Sequence, residues 1–140
     1  MCFLTKNPQK RIAESDVTCY KVVYVHKKKI NSYFKDFPYK LNKKYFQPIL
    51  FYKGEFSRAE EGFHSYDKVE YTFKYCGLCI ESTYFFTYIN SNERIVKCII
   101  PKGTVYYKNE HGEIISESII IKKIINPSLW LRFKNWYCDL

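Results

Sequence analysis

The chain has 140 residues, a length that can bury a core without disulfide or metal staples, and its 27 aromatic residues, 14 of them Tyr, make that core mixed rather than purely apolar. Its net charge of +9 points to nucleic acid, acidic protein or another anionic surface, although 19 Lys against 4 Arg is also the skew an AT-rich genome writes. No apolar run approaches the ~20 residues of a membrane span, and the apolar start Met1-Cys2-Phe3-Leu4 is too short for a secretory signal. The expectation is a soluble, cytoplasmic protein without a membrane partner, its six cysteines held as free thiols in a reducing compartment.

Residues 1–16 show little periodicity and are expected to form an arm leading into a single domain, 17–140. Val17 to His26 alternates β-branched and aromatic residues, which predicts a strand, and its apolar residues on both faces place it in a sheet interior. Lys27-Lys28-Lys29 ends it. The segment onward to Pro48, broken by Pro38, is expected to be a long excursion or a small subelement. Its lysines, including Lys43 and Lys44, suit either a solvated loop or a nucleic-acid-facing patch interleaved with Tyr33, Phe34, Tyr39, Tyr45 and Phe46.

Pro48 to Tyr52 is expected as a short strand. Ser65 fits the N-cap of a helix over 66–76, where Tyr66, Val69, Phe73 and Cys76 make one apolar stripe and Gly77 closes the helix. Thr83 to Ile89 reads as a strand paired antiparallel with Ile95 to Ile100. The corner Pro101-Lys102-Gly103 follows, then strands at Thr104 to Lys108, Glu113 to Ser116 and Ser118 to Ile125, the middle turn being Asn109-Glu110-His111-Gly112. Leu129, Trp130, Phe133, Trp136 and Tyr137 fit a C-terminal aromatic helix or cap. The fold class expected is α+β, a twisted, mostly antiparallel sheet with one helix after Ser65 and this C-terminal element.

Few motifs carry chemistry. Cys76-Gly77-Leu78-Cys79 is half of a zinc site, and no second such pair or His-x-x-x-His completes it, so no metal is expected and Cys76 and Cys79 remain a weak alternative. His64 precedes a strand-to-helix junction whose amides could bind an anion, the plainer alternative being that Ser65 caps the helix and His64 packs. The five glycines are isolated, which removes the phosphate-loop and dinucleotide-loop readings.

Gly62-Phe63-His64-Ser65, Cys98-Ile99-Ile100-Pro101-Lys102-Gly103-Thr104-Val105-Tyr106-Tyr107 and Gly112-Glu113-Ile114-Ile115-Ser116 resemble small uncharacterised proteins of gut Bacteroidales and their phages. The order of parts also remotely resembles the ADP-ribosyltransferase fold. That resemblance implies NAD as cofactor, with Tyr20-Lys21 where Tyr-Arg is common, Phe63-His64-Ser65 at the Ser motif, and Glu117 as the carboxylate stabilising an oxocarbenium-like ribose. Lys21 departs from the family's Arg, since it lacks the planar fork for a phosphate. Glu117 departs too, because no second acid stands two residues from it. Two functions are thus expected from the sequence. The leading one is a phage-type or mobile-element accessory protein, with no cofactor, whose basic surface (Lys27, Lys28, Lys29, Lys43, Lys44, with His64) binds nucleic acid or a host protein. The alternative is a diverged transferase using Ser65, Glu117 and Lys21.

Overall fold

The computed structural model describes residues 3–5, 9–32, 37–52, 57–59, 61–69 and 93–125. They form thirteen strands: β1 (Phe3–Thr5), β2 (Arg11–Ile12), β3 (Val17–His26), β4 (Lys29–Ser32), β5 (Pro38–Tyr39), β6 (Lys44–Phe46), β7 (Phe51–Tyr52), β8 (Ser57–Ala59), β9 (Phe63–Tyr66), β10 (Glu93–Ile100), β11 (Val105–Lys108), β12 (Glu113–Ser116) and β13 (Ser118–Ile124). Ten of them make one antiparallel sheet in the order β2-β11-β12-β9-β3-β10-β13-β6, with β4 and β5 attached to β3; β1, β8 and β7 make a second, three-stranded sheet.

No helical element lies among these residues, so the α+β expectation is corrected to a nearly all-β protein. The physical reason sits at Ser65. Phe63 to Tyr66 pairs residue for residue with β12, from Phe63 opposite Ser116 to Tyr66 opposite Glu113. Ser65 is therefore inside a strand and caps nothing. Residues 70–76 of the expected helix, with the Cys76/Cys79 pair, the strand at 83–89 and the C-terminal aromatic segment lie outside the described residues.

β3 spans the ten residues its alternation predicts, and it is an interior strand. Along one edge it pairs with β10 from Val17 opposite Ile100 to Tyr24 opposite Glu93. Its odd residues Cys19 and Val23 enter the main core with Val96, Cys98 and Ile100 of β10, Ile119 and Ile121 of β13, Ile114, Phe63 and Tyr39. On its other face Val22 is buried as well, opposite the fully buried Ile95.

The sheet curls back on itself. β12 and β13 are one run of chain with only Glu117 between them, yet β12 lies beside β9 and β13 lies beside β10. The run β12-β9-β3-β10-β13 thus starts and ends on the same segment. Glu117 marks the switch: its N–H donates to Val105 O on the β11 side, and its carbonyl accepts from Gln47 N on the β6 side, at 3.0 and 2.8 Å. The inward alternation slips there by one position, as at a β-bulge: Ile114 and Ser116 are buried before the corner, Ile119 and Ile121 after it. Ile115 points the other way and packs under Ile49, Phe51 and Tyr107. Gly62, at φ +106, leads into β9 with so little room that a Cβ would sit 2.9 Å from Ile115 Cγ1.

The second edge of β3 is divided. β9 touches it only at Tyr20 opposite Tyr66, and β4 takes over from Val23 to His26. In the fork between them the Lys21 ammonium donates to the His64 carbonyl at 2.7 Å.

Candidate nucleic-acid interface

The segment expected as an excursion is a β-hairpin with two further short strands, and its turns carry lysines. His26 pairs with Lys29, so Lys27 and Lys28 alone make the turn, at φ 47 and φ 65. A two-residue hairpin with both central residues at positive φ favours Asn-Gly. L-residues with a Cβ are strained there by roughly 1–2 kcal/mol each. The sequence keeps two cations at this tip in spite of the strain. Replacing Lys27→Asn with Lys28→Gly is therefore expected to stabilise the fold by about 1 kcal/mol or more. Chemical denaturation reads that gain, and if the tip binds an anionic partner the same variant binds it more weakly.

Register then brings other lysines to this tip. Ile30 pairs with Tyr39, which sets Lys29 beside Lys40, the next residue on each strand. Beyond Lys40 the chain turns through Leu41 and Asn42, the latter at φ 62, a conformation Asn tolerates better than most residues. Lys43 N donates to Lys40 O at 3.4 Å, and Asn42 N donates to Ile121 O at 2.9 Å, so the turn sits against the end of β13, where Lys122 and Lys123 follow. Lys27, Lys28, Lys29, Lys40, Lys43, Lys122 and Lys123 are all exposed and form one arc along a rim of the curled sheet, with exposed Lys44 flanking it.

Among the described residues of 17–52 and 118–125 there is no Asp or Glu. Two described acids on other elements have partners of their own. Asp67 pairs with Lys108 at 2.7 Å, and Asp16 Oδ1 accepts from Lys102 N at 2.9 Å. Glu113 is half-buried, and its carboxyl is raised above the usual carboxylate range, chiefly by desolvation.

A rigid aromatic cluster supports the rim from inside. Phe37, Tyr39 and Tyr45 meet pairwise with ring centroids 5.1–5.4 Å apart, and Phe63 joins from β9 at 6.0 Å from Phe37. Lys40 N donates to the Tyr45 hydroxyl at 2.7 Å, and Lys43 Nζ stands 5.2 Å over the Tyr45 ring. Burial pushes the Tyr39 phenol well above its ordinary range, so it remains neutral beneath the cations.

Of the sequence-predicted site residues, Lys27, Lys28, Lys29, Lys43 and Lys44 belong to this end of the molecule, while His64 does not. It is half-buried inside β9 opposite Ile115, so it does not stand at a helix start where amides would converge on an anion. Ser65 is 2% exposed and faces the interior, across from Ile114. The Cys19 thiol lies beside its hydroxyl without giving it a full hydrogen bond. Lys21 occupies the neighbouring interior position with its ammonium on His64 O. Glu117 is at the corner, three residues beyond Ile114, about 10 Å along the strand at the usual rise. The fold therefore sets Lys21 near Ser65 and leaves Glu117 apart from both.

The thiols Cys19 and Cys98 are directly opposed across β3 and β10, free and fully buried. Burial pushes the Cys98 thiol well up, which suits packing better than nucleophilic work. Among the described residues no cluster of three or more His, Cys, Asp or Glu is arranged to hold a metal, and no helix is long and apolar enough to cross a membrane.

Sequence reasoning named the Lys27–Lys29 and Lys43–Lys44 groups but missed Lys40, Lys122 and Lys123. The doublet after an apolar strand was visible; its position beside the 40–43 turn depends on strand register, which no local pattern encodes. No family model, curated protein or solved structure shows significant similarity to the chain.

Proposed function

We propose that this is a small accessory protein, of phage or mobile-element type, that works by binding nucleic acid through its lysine rim. The observation that carries the reading is the gathering of lysines from three separate segments, 27–29, 40–43 and 122–123, into one exposed arc without a described acid among them. Codon bias alone would scatter lysines over every face and mix them with carboxylates. Here the described acids sit on other elements, and the strained Lys27-Lys28 turn holds charge at a site where a neutral pair would be more stable. A row of ammonium groups along a ridge suits a polyanion with regularly repeated phosphates, each contact releasing a condensed counterion.

The test is fluorescence anisotropy of a labelled 20-nucleotide probe across a salt series. Five phosphate contacts would give a log–log slope of about −3.5 on a single strand. Absent binding, or an affinity independent of salt, would sink the proposal.

A further inference from the structure

We propose that Cys19 and Cys98 form a redox modification site, at which a small peroxide oxidises Cys19 and Cys98 then closes a disulfide across β3 and β10. The site is independent of the nucleic-acid reading above.

Register supplies the geometry. Cys19 and Cys98 are direct partners in the antiparallel ladder, and both enter the main core, so their side chains stand on one face of the sheet. Opposed residues in such a ladder have Cα atoms about 4.5–5.5 Å apart, inside the span of about 4.4–6.8 Å that a disulfide needs. The backbone already holds the pair at bonding range.

The surroundings distinguish the two sulfurs. Lys21 is the next inward residue of β3, opposite Val96, and Ser65 of β9 is 2% exposed and faces the same interior. The Ser65 hydroxyl has no hydrogen-bond partner, although the Cys19 thiol lies beside it. A neutral thiol is a weak acceptor, whereas a thiolate would accept from that hydroxyl with the assistance of its charge. The orphaned donor therefore marks a place where negative charge can be held. The Cys19 thiol is lowered below its ordinary range, chiefly by the Cys98 thiol; burial opposes this, and Ser65 and the Lys21 charge add to it. Cys98 is raised well above its ordinary range, chiefly by burial, and stays a thiol. Cys19 is thus the attacking sulfur and Cys98 the resolving one.

Burial also selects the oxidant. Both cysteines are fully buried, which keeps out a reagent as large as glutathione disulfide. Lys21 is only half-buried, in the fork where β9 leaves the edge of β3 and β4 takes it over, about 7 Å along the strand from Cys19. Hydrogen peroxide, little larger than water, fits this approach.

Atoms and electrons balance with the peroxide alone. The Cys19 thiolate attacks one peroxide oxygen, the O–O bond breaks, and the departing hydroxide takes up the proton that Cys19 released, leaving a sulfenic acid and water. The Cys98 sulfur then attacks the Cys19 sulfur, the S–O bond breaks, and the hydroxide leaves as water with the Cys98 proton. Two thiols are oxidised to one disulfide, and one peroxide is reduced to two waters.

The experiment treats the folded full-length chain with hydrogen peroxide, alkylates the remaining thiols in denaturant, and maps unreduced peptides by mass spectrometry. The expected result is a Cys19 peptide joined to a Cys98 peptide within a monomer, and reversed by dithiothreitol. Because the bond closes a loop of roughly 80 residues, the oxidised chain should melt roughly 10–20 °C higher than the reduced one. In Cys98→Ser a cyclic dione probe should trap a sulfenic acid at Cys19. Ser65→Ala should oxidise roughly 3- to 10-fold more slowly than wild type at an unchanged unfolding midpoint; a purely structural hydroxyl would leave that rate alone. Glutathione disulfide in place of peroxide should leave both thiols free. Recovery of Cys19 and Cys98 both alkylated after peroxide overturns the proposal, as does a link that forms only once the chain is unfolded. Pairing of either thiol with another cysteine overturns it as well.

Discussion

Replacing Ile121 by Ala is expected to remove about 2–5 kcal/mol of folding stability. Ile121 is fully buried, opposite Cys98 where the β10–β13 register shifts, and it packs in the core that joins β3, β10, β13, β9 and β12. Truncation deletes apolar contact and leaves a cavity that strands fixed on both sides cannot collapse to fill. Against a total stability of roughly 5–15 kcal/mol for a domain, this is a large share, and a fall of roughly 8–20 °C in the thermal midpoint follows at about 4 °C per kcal/mol. Three residues on, Ile124→Ala is the control. That side chain is 38% exposed, and its loss should cost less than about 1 kcal/mol. Denaturant titration should show a lower midpoint with an unchanged slope for Ile121→Ala. Equal effects at the two positions would mean that the curled sheet does not have the interior described.

Reversing charge on the rim is expected to have the largest effect on binding. The triple Lys28→Glu, Lys43→Glu, Lys122→Glu takes one lysine from each of the three contributing segments. Each reversal removes an exposed ionic contact worth roughly 0.5–1 kcal/mol and adds a repulsion of similar size. The sum is a loss of roughly 10²–10⁴ in affinity for a nucleic-acid strand, and the salt slope should shrink by about 2. The matched control is Lys10→Glu, Arg11→Glu, Lys102→Glu, which changes net charge equally at exposed positions away from the rim. If the two triples weaken binding alike, overall charge rather than the rim carries the interaction. Because every rim lysine is exposed, both triples should remain folded.

Much of this sheet was legible in the residues. β3 announced both ends because ten residues of β-branched and aromatic alternation fit no other period, and Glu113 to Ser116 was bounded by a turn whose Asn109 side chain accepts from His111 N and Glu113 N, each at 3.0 Å. The corner at Pro101 to Gly103 was equally plain, with Gly103 at φ +86.

β9 was misread for a physical reason. A four-residue strand holds only two repeats of its period, and Ser65-Tyr66 followed by Val69 satisfies a helix cap and a helical spacing equally well. Tertiary pairing with Ile114 and Ile115 decides the matter, and that information lies about fifty residues away in the chain. Likewise β4, β5 and β6 are too short and too rich in Lys, Asn and Pro to declare themselves.

The site was legible in halves. Lysine runs are visible in any sequence, but whether they meet depends on which strands are neighbours. Lys40 joins Lys29 through the β4–β5 ladder, and Lys122 joins the turn through the Asn42 bond to Ile121. The order of Lys21, Ser65 and Glu117 along the chain did not reveal that the first two face a packed interior while the third marks a corner.

The pairing of β3 with β10 has a consequence for how the chain comes into being. Cys19 and Cys98 face each other across it although they are roughly 80 residues apart in sequence. At ribosomal rates of about 5–20 residues per second, β3 waits about 4–16 s for its partner to be made. During that interval a strand with apolar residues on both faces has no native neighbour on that edge, and closing so long a loop makes the subsequent folding slow. Newly made chains should therefore be most prone to aggregation before residue 100 emerges. A ribosome-bound fragment ending near residue 90 should engage holding chaperones more strongly than one carrying the chain through β13.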